Sequence, residues 1–227
     1  MSRGFAEATV TAFLRVVKTA WGMPVLNFGA LAAFGILIPR RYGLDFLDIR
    51  LILAYSFIPM LFVAPAVTSA MRAGQPARSS SMELYAHVIA IIFYGWLIGL
   101  IVMALGLATV NYVYSPPTLL LPPAGVLPGY GIFSFAAVAF VAALGAYIAL
   151  LFSPLASLNT LRFGFLALLV FFYVGVTWLP LSWQVALSGT FAGDGFPPSA
   201  LAASAVLLLF AGGLMSSMRP GTALTSR

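Results

Sequence analysis

The sequence predicts an all-α, polytopic membrane protein. About six transmembrane helices follow an N-terminal amphipathic helix at the interface, all in a single membrane domain over 1–227. Three observations predict it. Hydrophobic residues make up 62% of the 227 residues and charged ones only 7%, with a mean hydropathy of +1.06. A soluble domain has about 45–50% and about 25%, so this chain lacks the polar side chains to cover a water-facing surface. Between Glu83 and Arg162 lie 78 consecutive residues without Asp, Glu, Lys or Arg, room for two spans of about 20 residues each and their connection. These segments are apolar all round rather than alternating, which excludes a transmembrane barrel.

The first element differs from the rest. On a helix over Ser2–Ala20, Glu7, Thr11, Arg15 and Lys18 fall on one stripe, and Phe13, Val16, Val17 and Ala20 on another. That pattern predicts a helix in the cytoplasmic interface with its cations toward anionic headgroups. It reads either as a plain membrane-surface anchor or as a lever joining a cytosolic partner to the spans. Glu7, Arg15 and Lys18 interrupt the segment, so no cleavable signal peptide is expected.

The spans follow from hydropathy. They are expected at about 23–39, 51–71, 84–112, 129–152, 162–180 and 199–218. The first is short and bounded by Trp21 and Arg40-Arg41; the second contains Pro59 and Pro65, which should bend it. The third is long enough to tilt or protrude from a hydrocarbon core of ~30 Å. The connection 114–129 carries Pro116, Pro117, Pro122, Pro123 and Pro128 and is expected to be extended rather than helical. The connection 181–198, with Trp183, Gly189, Gly193, Asp194, Gly195, Pro197 and Pro198, reads as a second interfacial loop.

Orientation follows from the cations. With the N-terminus inside, Arg3, Arg15, Lys18, Arg72, Arg78, Arg162, Arg219 and Arg227 are cytoplasmic, and Arg40, Arg41 and Arg50 are outside. This excess places both termini in the cytoplasm. The preference for Arg over Lys, with abundant Ala and Gly, points to a GC-rich bacterial genome and therefore to an inner (plasma) membrane.

The chemistry available to such a chain can be searched completely. The net charge is +6 and the pI about 10.0, but the cations are scattered, never more than two adjacent. They read as topology determinants rather than a nucleic-acid site, and the expected partner is the lipid bilayer. The absence of cysteine removes disulfides, thiolate metal sites and thiol nucleophiles. His87 is the only histidine: it could be an axial ligand to a haem or chlorophyll, or a relay, but the plainer reading is a hydrogen bond to a neighbouring helix or a place at the interface. The five acidic residues, Glu7, Asp45, Asp48, Glu83 and Asp194, all lie outside the middle of a span, which argues against proton- or sodium-driven transport. No G-x-S-x-G, H-E-x-x-H or G-x-x-x-x-G-K-[ST] pattern occurs. The chain is therefore not expected to be an enzyme, nor to carry a metal or cofactor of its own.

Packing signals are clearer. Gly95-x-x-x-Gly99 and Gly106 put small residues on one face of the third span, and Ala142, Gly145 and Ala146 do so in the fourth. Such faces let helices approach closely, within one chain or across a homodimer or partner interface.

The stretch Met71–His87 holds the most chemistry. Arg72, Gly74, Pro76 and Arg78 end the second span, and Ser80-Ser81-Met82-Glu83 is an S-x-x-E capping box that should start the next helix. With this charged turn the layout resembles the membrane (permease) subunit of type-2 ABC exporters. Shared features are an amphipathic N-terminal helix, six spans, cytoplasmic termini, a charged cytoplasmic turn between spans two and three, and an outer loop before the last span. Ser81-Met82-Glu83-Leu84-Tyr85 is similar to the family's Gly-Thr-x-Glu-Leu-Leu, with Ser81 for Thr, Tyr85 for the second Leu and Ser80 for Gly. Asn27 after Pro24 is loosely similar to its Asn-Pro, while the family's upstream acidic residues and second turn are missing. The resemblance implies a separate cytosolic ATPase subunit meeting Arg72, Arg78, Ser81 and Glu83, with Arg15 and Lys18 on the coupled helix. It also implies two copies around an export path for a hydrophobic or lipidic substrate. The competing expectation is a non-catalytic subunit of a larger integral complex (respiratory, photosynthetic or secretory) with other integral membrane partners.

Overall fold

The computed structural model describes residues 3–37, 56–72, 77–113, 127–152, 155, 157–177 and 198–218. Among the described residues the chain is helical without strands. The helices are α1 (Arg3–Thr19), α2 (Gly22–Leu37), α3 (Ile58–Arg72), α4 (Ala77–Val113), α5 (Leu127–Phe152), α6 (Leu158–Thr177) and α7 (Pro198–Ser217). The connection expected at 40–50, most of those expected at 114–129 and 181–198, and the basic residues Arg219 and Arg227 lie outside the described residues; 127–129 and 198, expected to be loop, are instead helical.

Among the described residues two helices are long and apolar enough to cross a membrane: α4 through Met82–Val102, and α5 along its whole length, Leu127–Phe152. Shorter apolar stretches occupy Ile58–Val67, Leu158–Phe171 and Leu201–Ser217.

Local sequence explains the starts of α5 and α6. α5 begins at Leu127, two residues earlier than hydropathy suggests, because Pro128 falls in its first turn, where a missing N–H breaks no helical bond. α6 starts at Leu158 rather than near Arg162. Ser157 Oγ accepts the Thr160 amide at 3.2 Å and shares a 2.8 Å hydrogen bond with the Thr160 hydroxyl, so the serine caps the helix.

The start of α4 differs from expectation. The helix begins at Ala77, so Ser80 and Ser81 lie within it and the S-x-x-E box does not cap it. Nothing between Ala77 and Glu83 breaks a helix, so propagation, which adds one bond per residue, continues upstream. Pro59 does interrupt its helix. Ser56 is helical, Phe57 forms a turn and the helix resumes at Ile58, with Met60 N donating to Phe57 O at 3.2 Å. A proline amide cannot continue the ladder and its ring clashes with the preceding turn. Pro65 stands inside α3.

α5 is the central helix. It packs against α3, α4 and α7, and its alanine-rich surface (Ala136, Ala137, Ala142, Ala143, Ala146, Ala149) is buried. α1 and α2 lie on α4, and α6 leans mainly on α3. Glycine sets two of these crossings. A Cβ on Gly95 would collide with Pro59 Cγ and lie 3.4 Å from Met23 Sδ, and one on Gly145 would collide with Met60 Cγ. α4 and α5 meet through a polar link as well: Trp96 Nε1 donates to Ser134 Oγ at 3.0 Å, and Ser134 Oγ donates to Gly131 O at 3.0 Å. Phe93, Trp96 and Phe135 pack round it, with centroids 5.3–6.5 Å apart.

Candidate functional site at one end of the bundle

The charged residues singled out by sequence lie mostly on α1 and the first turns of α4. In α1 the polar stripe Glu7, Thr11, Arg15 and Lys18 is exposed as its spacing predicts. The opposite face is shifted from expectation. Ala12, Val16 and Ala20 are buried, Phe13 is half-buried, and Val17 is exposed. Ala12, Val16 and Ala20 recur every four residues, and the small side chain of Ala12 lets the α1 backbone approach α4 along this face. Phe13 meets Tyr94 edge-on at 6.2 Å. The inner face of α1 is thus occupied by protein, and a second apolar flank of Val10, Leu14, Val17 and Trp21 is left exposed beside the cations.

The start of α4 brings chemistry to the same end. Arg78 and Ser81 lie in its first two turns, and Arg72 is the last residue of α3. Glu83 is exposed and His87 half-buried. The His87 ring hydrogen-bonds the Glu83 backbone one turn earlier, and Arg15 and the Glu83 carboxylate lie within electrostatic range of it. Tyr85 ties this end of α4 to the end of α7. Its hydroxyl donates to Met218 O at 2.9 Å, across 133 residues of chain. Met218 is fully buried, and its amide donates to Met215 O at 3.2 Å, so the end of α7 is held here.

Three segments remote in sequence therefore converge: α1 through Arg15, α4 through Glu83, Tyr85 and His87, and the end of α7 through Met218. Lys18 is one turn further along α1 and exposed. This arrangement can bind a charged surface and transmit a displacement between helices. Among the described residues no three of His, Cys, Asp and Glu come together to hold a metal ion, and His87 engages its own helix.

The glycine face lies elsewhere. Gly95 and Gly99 are buried along α4, Gly95 against α3 and α2, and Gly106 lies further along the same helix. Asn27 is buried in α2. Its Nδ2 donates to Met23 O at 2.9 Å, while its Oδ1 has no partner among the described residues. Sequence reasoning missed the Tyr85–Met218 and Trp96–Ser134 bonds, for which no local pattern exists. Comparison with protein-family models, curated proteins and solved structures gives no significant match.

Proposed function

We propose that the chain is a six-span, inner-membrane permease subunit of an ATP-driven exporter of the type-2 ABC kind, with both termini cytoplasmic. It moves a hydrophobic or lipidic substrate with a separate ATPase subunit. The observation that carries this reading is the convergence of α1, the start of α4 and the end of α7 around Arg15, Glu83, Tyr85 and Met218. A push from a cytosolic partner at Arg72–Glu83 would reach the first and last helices directly, through a packed contact and a hydrogen bond. Alternating access needs such coupling between bistable packings. The mechanism is mechanical: closure of two ATPases displaces the start of α4, and α1 and α7 follow.

The test is a double charge reversal, Arg78→Glu with Glu83→Lys, followed by co-purification from mild detergent. The reading expects a phosphate-loop ATPase in stoichiometric amount with the parent chain and its loss, at least tenfold, with the variant, while the variant stays in the membrane fraction. Unchanged capture and unchanged transport would overturn the contact.

A second reading, a non-catalytic subunit of a larger integral complex, is favoured by one observation. α6 is sparsely packed, and Phe163 and Phe171 are 71% and 75% exposed, as a helix covered by a neighbouring subunit would be. Co-purification with integral subunits bearing haem, pigment or metal would support it.

A further inference from the structure

We propose that α1 docks on the anionic phospholipids of the adjoining leaflet, through an apolar flank that sinks among acyl chains and two cations that hold the phosphates. The helix has three sides. At about 3.6 residues per turn, Ala12, Val16 and Ala20 form the side buried against α4, and Glu7, Thr11, Arg15 and Lys18 form the polar side. Between them lies a third side of Val10, Leu14, Val17 and Trp21. Leu14 is 58% exposed and Trp21 73%, against 2% for Val16. Apart from Val17, this is not the side that hydropathy assigns to the membrane: α4 takes up that one.

Two observations say what covers the third side. The first is continuity. Trp21 stands in a turn pinned on both sides, with Ala20 N donating to Val16 O at 2.8 Å and Met23 N donating to Ala20 O at 2.9 Å. Ala20 and Met23 are buried, so the indole is held outward. The exposed apolar surface then continues along α2 through Val25 and Phe28, on a helix without a charged residue. A bilayer covers both helices as one surface. The second is charge. Arg15 and Lys18 are exposed and border this side just before the indole. Cations, then tryptophan, then an uncharged helix is the order met on crossing a headgroup layer into hydrocarbon. Glu7 lies two turns before Arg15, about 12 Å along the helix, beyond a Debye length of about 8 Å, so it does not cancel them. A neutral bilayer would cover the flank and leave both cations without a partner. The proposal rests on the membrane reading and needs neither the exporter nor a partner subunit.

The chain has no cysteine, so nitroxide labels on Leu14→Cys and Thr11→Cys report the two exposed sides separately. The full chain is reconstituted into vesicles of phosphatidylcholine alone, or of equal parts phosphatidylcholine and phosphatidylglycerol. Access is read with oxygen and with a water-soluble nickel chelate. In the mixed vesicles the Leu14 label should be reached by oxygen and shielded from nickel, and the Thr11 label the reverse. A cation near an anionic leaflet is worth roughly fivefold in binding. Omitting phosphatidylglycerol, or combining Arg15→Gln with Lys18→Gln, should therefore raise nickel access at Leu14 at least threefold. High salt should do the same with both cations in place. Equal shielding of Leu14 in the two kinds of vesicle overturns the anionic requirement, and equal exposure overturns the docking. Spectral broadening between Leu14 labels on two copies overturns it in favour of a dimer. A chain that floats with neither vesicle overturns the membrane reading itself.

Discussion

Gly95 shows how one residue sets a helix crossing. Its hydrogen faces the ring of Pro59 at the point where the helix breaks before α3, and a side chain there would meet proline carbon and then the Met23 sulfur. Overpacking of this kind costs about 1–3 kcal/mol. Gly95→Val should therefore lower stability in mixed-micelle denaturation by that amount. Gly164→Ala should be neutral or stabilising by up to about 1 kcal/mol, since its Cβ meets nothing and alanine is the better helix former. Equal effects of the two substitutions would contradict the packing described. Tyr85 works by one atom. Tyr85→Phe keeps the ring and removes the hydroxyl bonded to Met218 O, a loss of about 0.5–1.5 kcal/mol. The loss should appear as faster amide exchange at Met218, whose own bond closes the end of α7.

At the scale of elements, the α4–α5 seam and the α1–α4 contact are separable. Trp96→Phe deletes the N–H that reaches Ser134 and leaves Ser134 bonded to Gly131. A cost of about 0.6–1.7 kcal/mol is expected for such a bond between apolar helices, again read by denaturation in mixed micelles. Val16→Asp places a charge in the buried face of α1, which costs several kcal/mol unless the helix moves. It should release α1 from α4, seen as rapid exchange across Arg3–Thr19, while Val10→Asp on the exposed flank leaves the contact unchanged.

These elements also show where the sequence was legible. Hydropathy located apolar stretches that are helical where they are described, and two of these described helices are long enough to cross a membrane. It misplaced their ends wherever a local device operated, as with Pro128 and the Ser157–Thr160 cap. The S-x-x-E pattern at Ser80 had the right residues, but the helix had no reason to stop before reaching Ala77. The face of α1 was misjudged because bulk, not closeness, was weighted: Val17 is the larger side chain, yet Ala12 is the one that fits against α4. Of the candidate site, the charged positions were readable, whereas Tyr85 and Met218 meet only through the tertiary fold.

At the scale of the molecule, α5 packs against α3, α4 and α7, and Arg15, Glu83, Tyr85 and His87 collect at one end of the bundle. The account makes that end cytoplasmic, with α4 leaving it and α5 returning to it. Leu127 and Leu155 flank α5 and are both exposed, and Glu83 is exposed at the start of α4. The chain has no cysteine, so single cysteines at these positions report without background. The decisive measurement is labelling of Leu127→Cys, Leu155→Cys and Glu83→Cys with a membrane-impermeant maleimide in intact and in permeabilised cells. The account predicts that Leu127→Cys reacts from outside, and that Leu155→Cys and Glu83→Cys react only after permeabilisation. Reaction of Leu127 and Leu155 from the same side, or of Glu83 in intact cells, would contradict it.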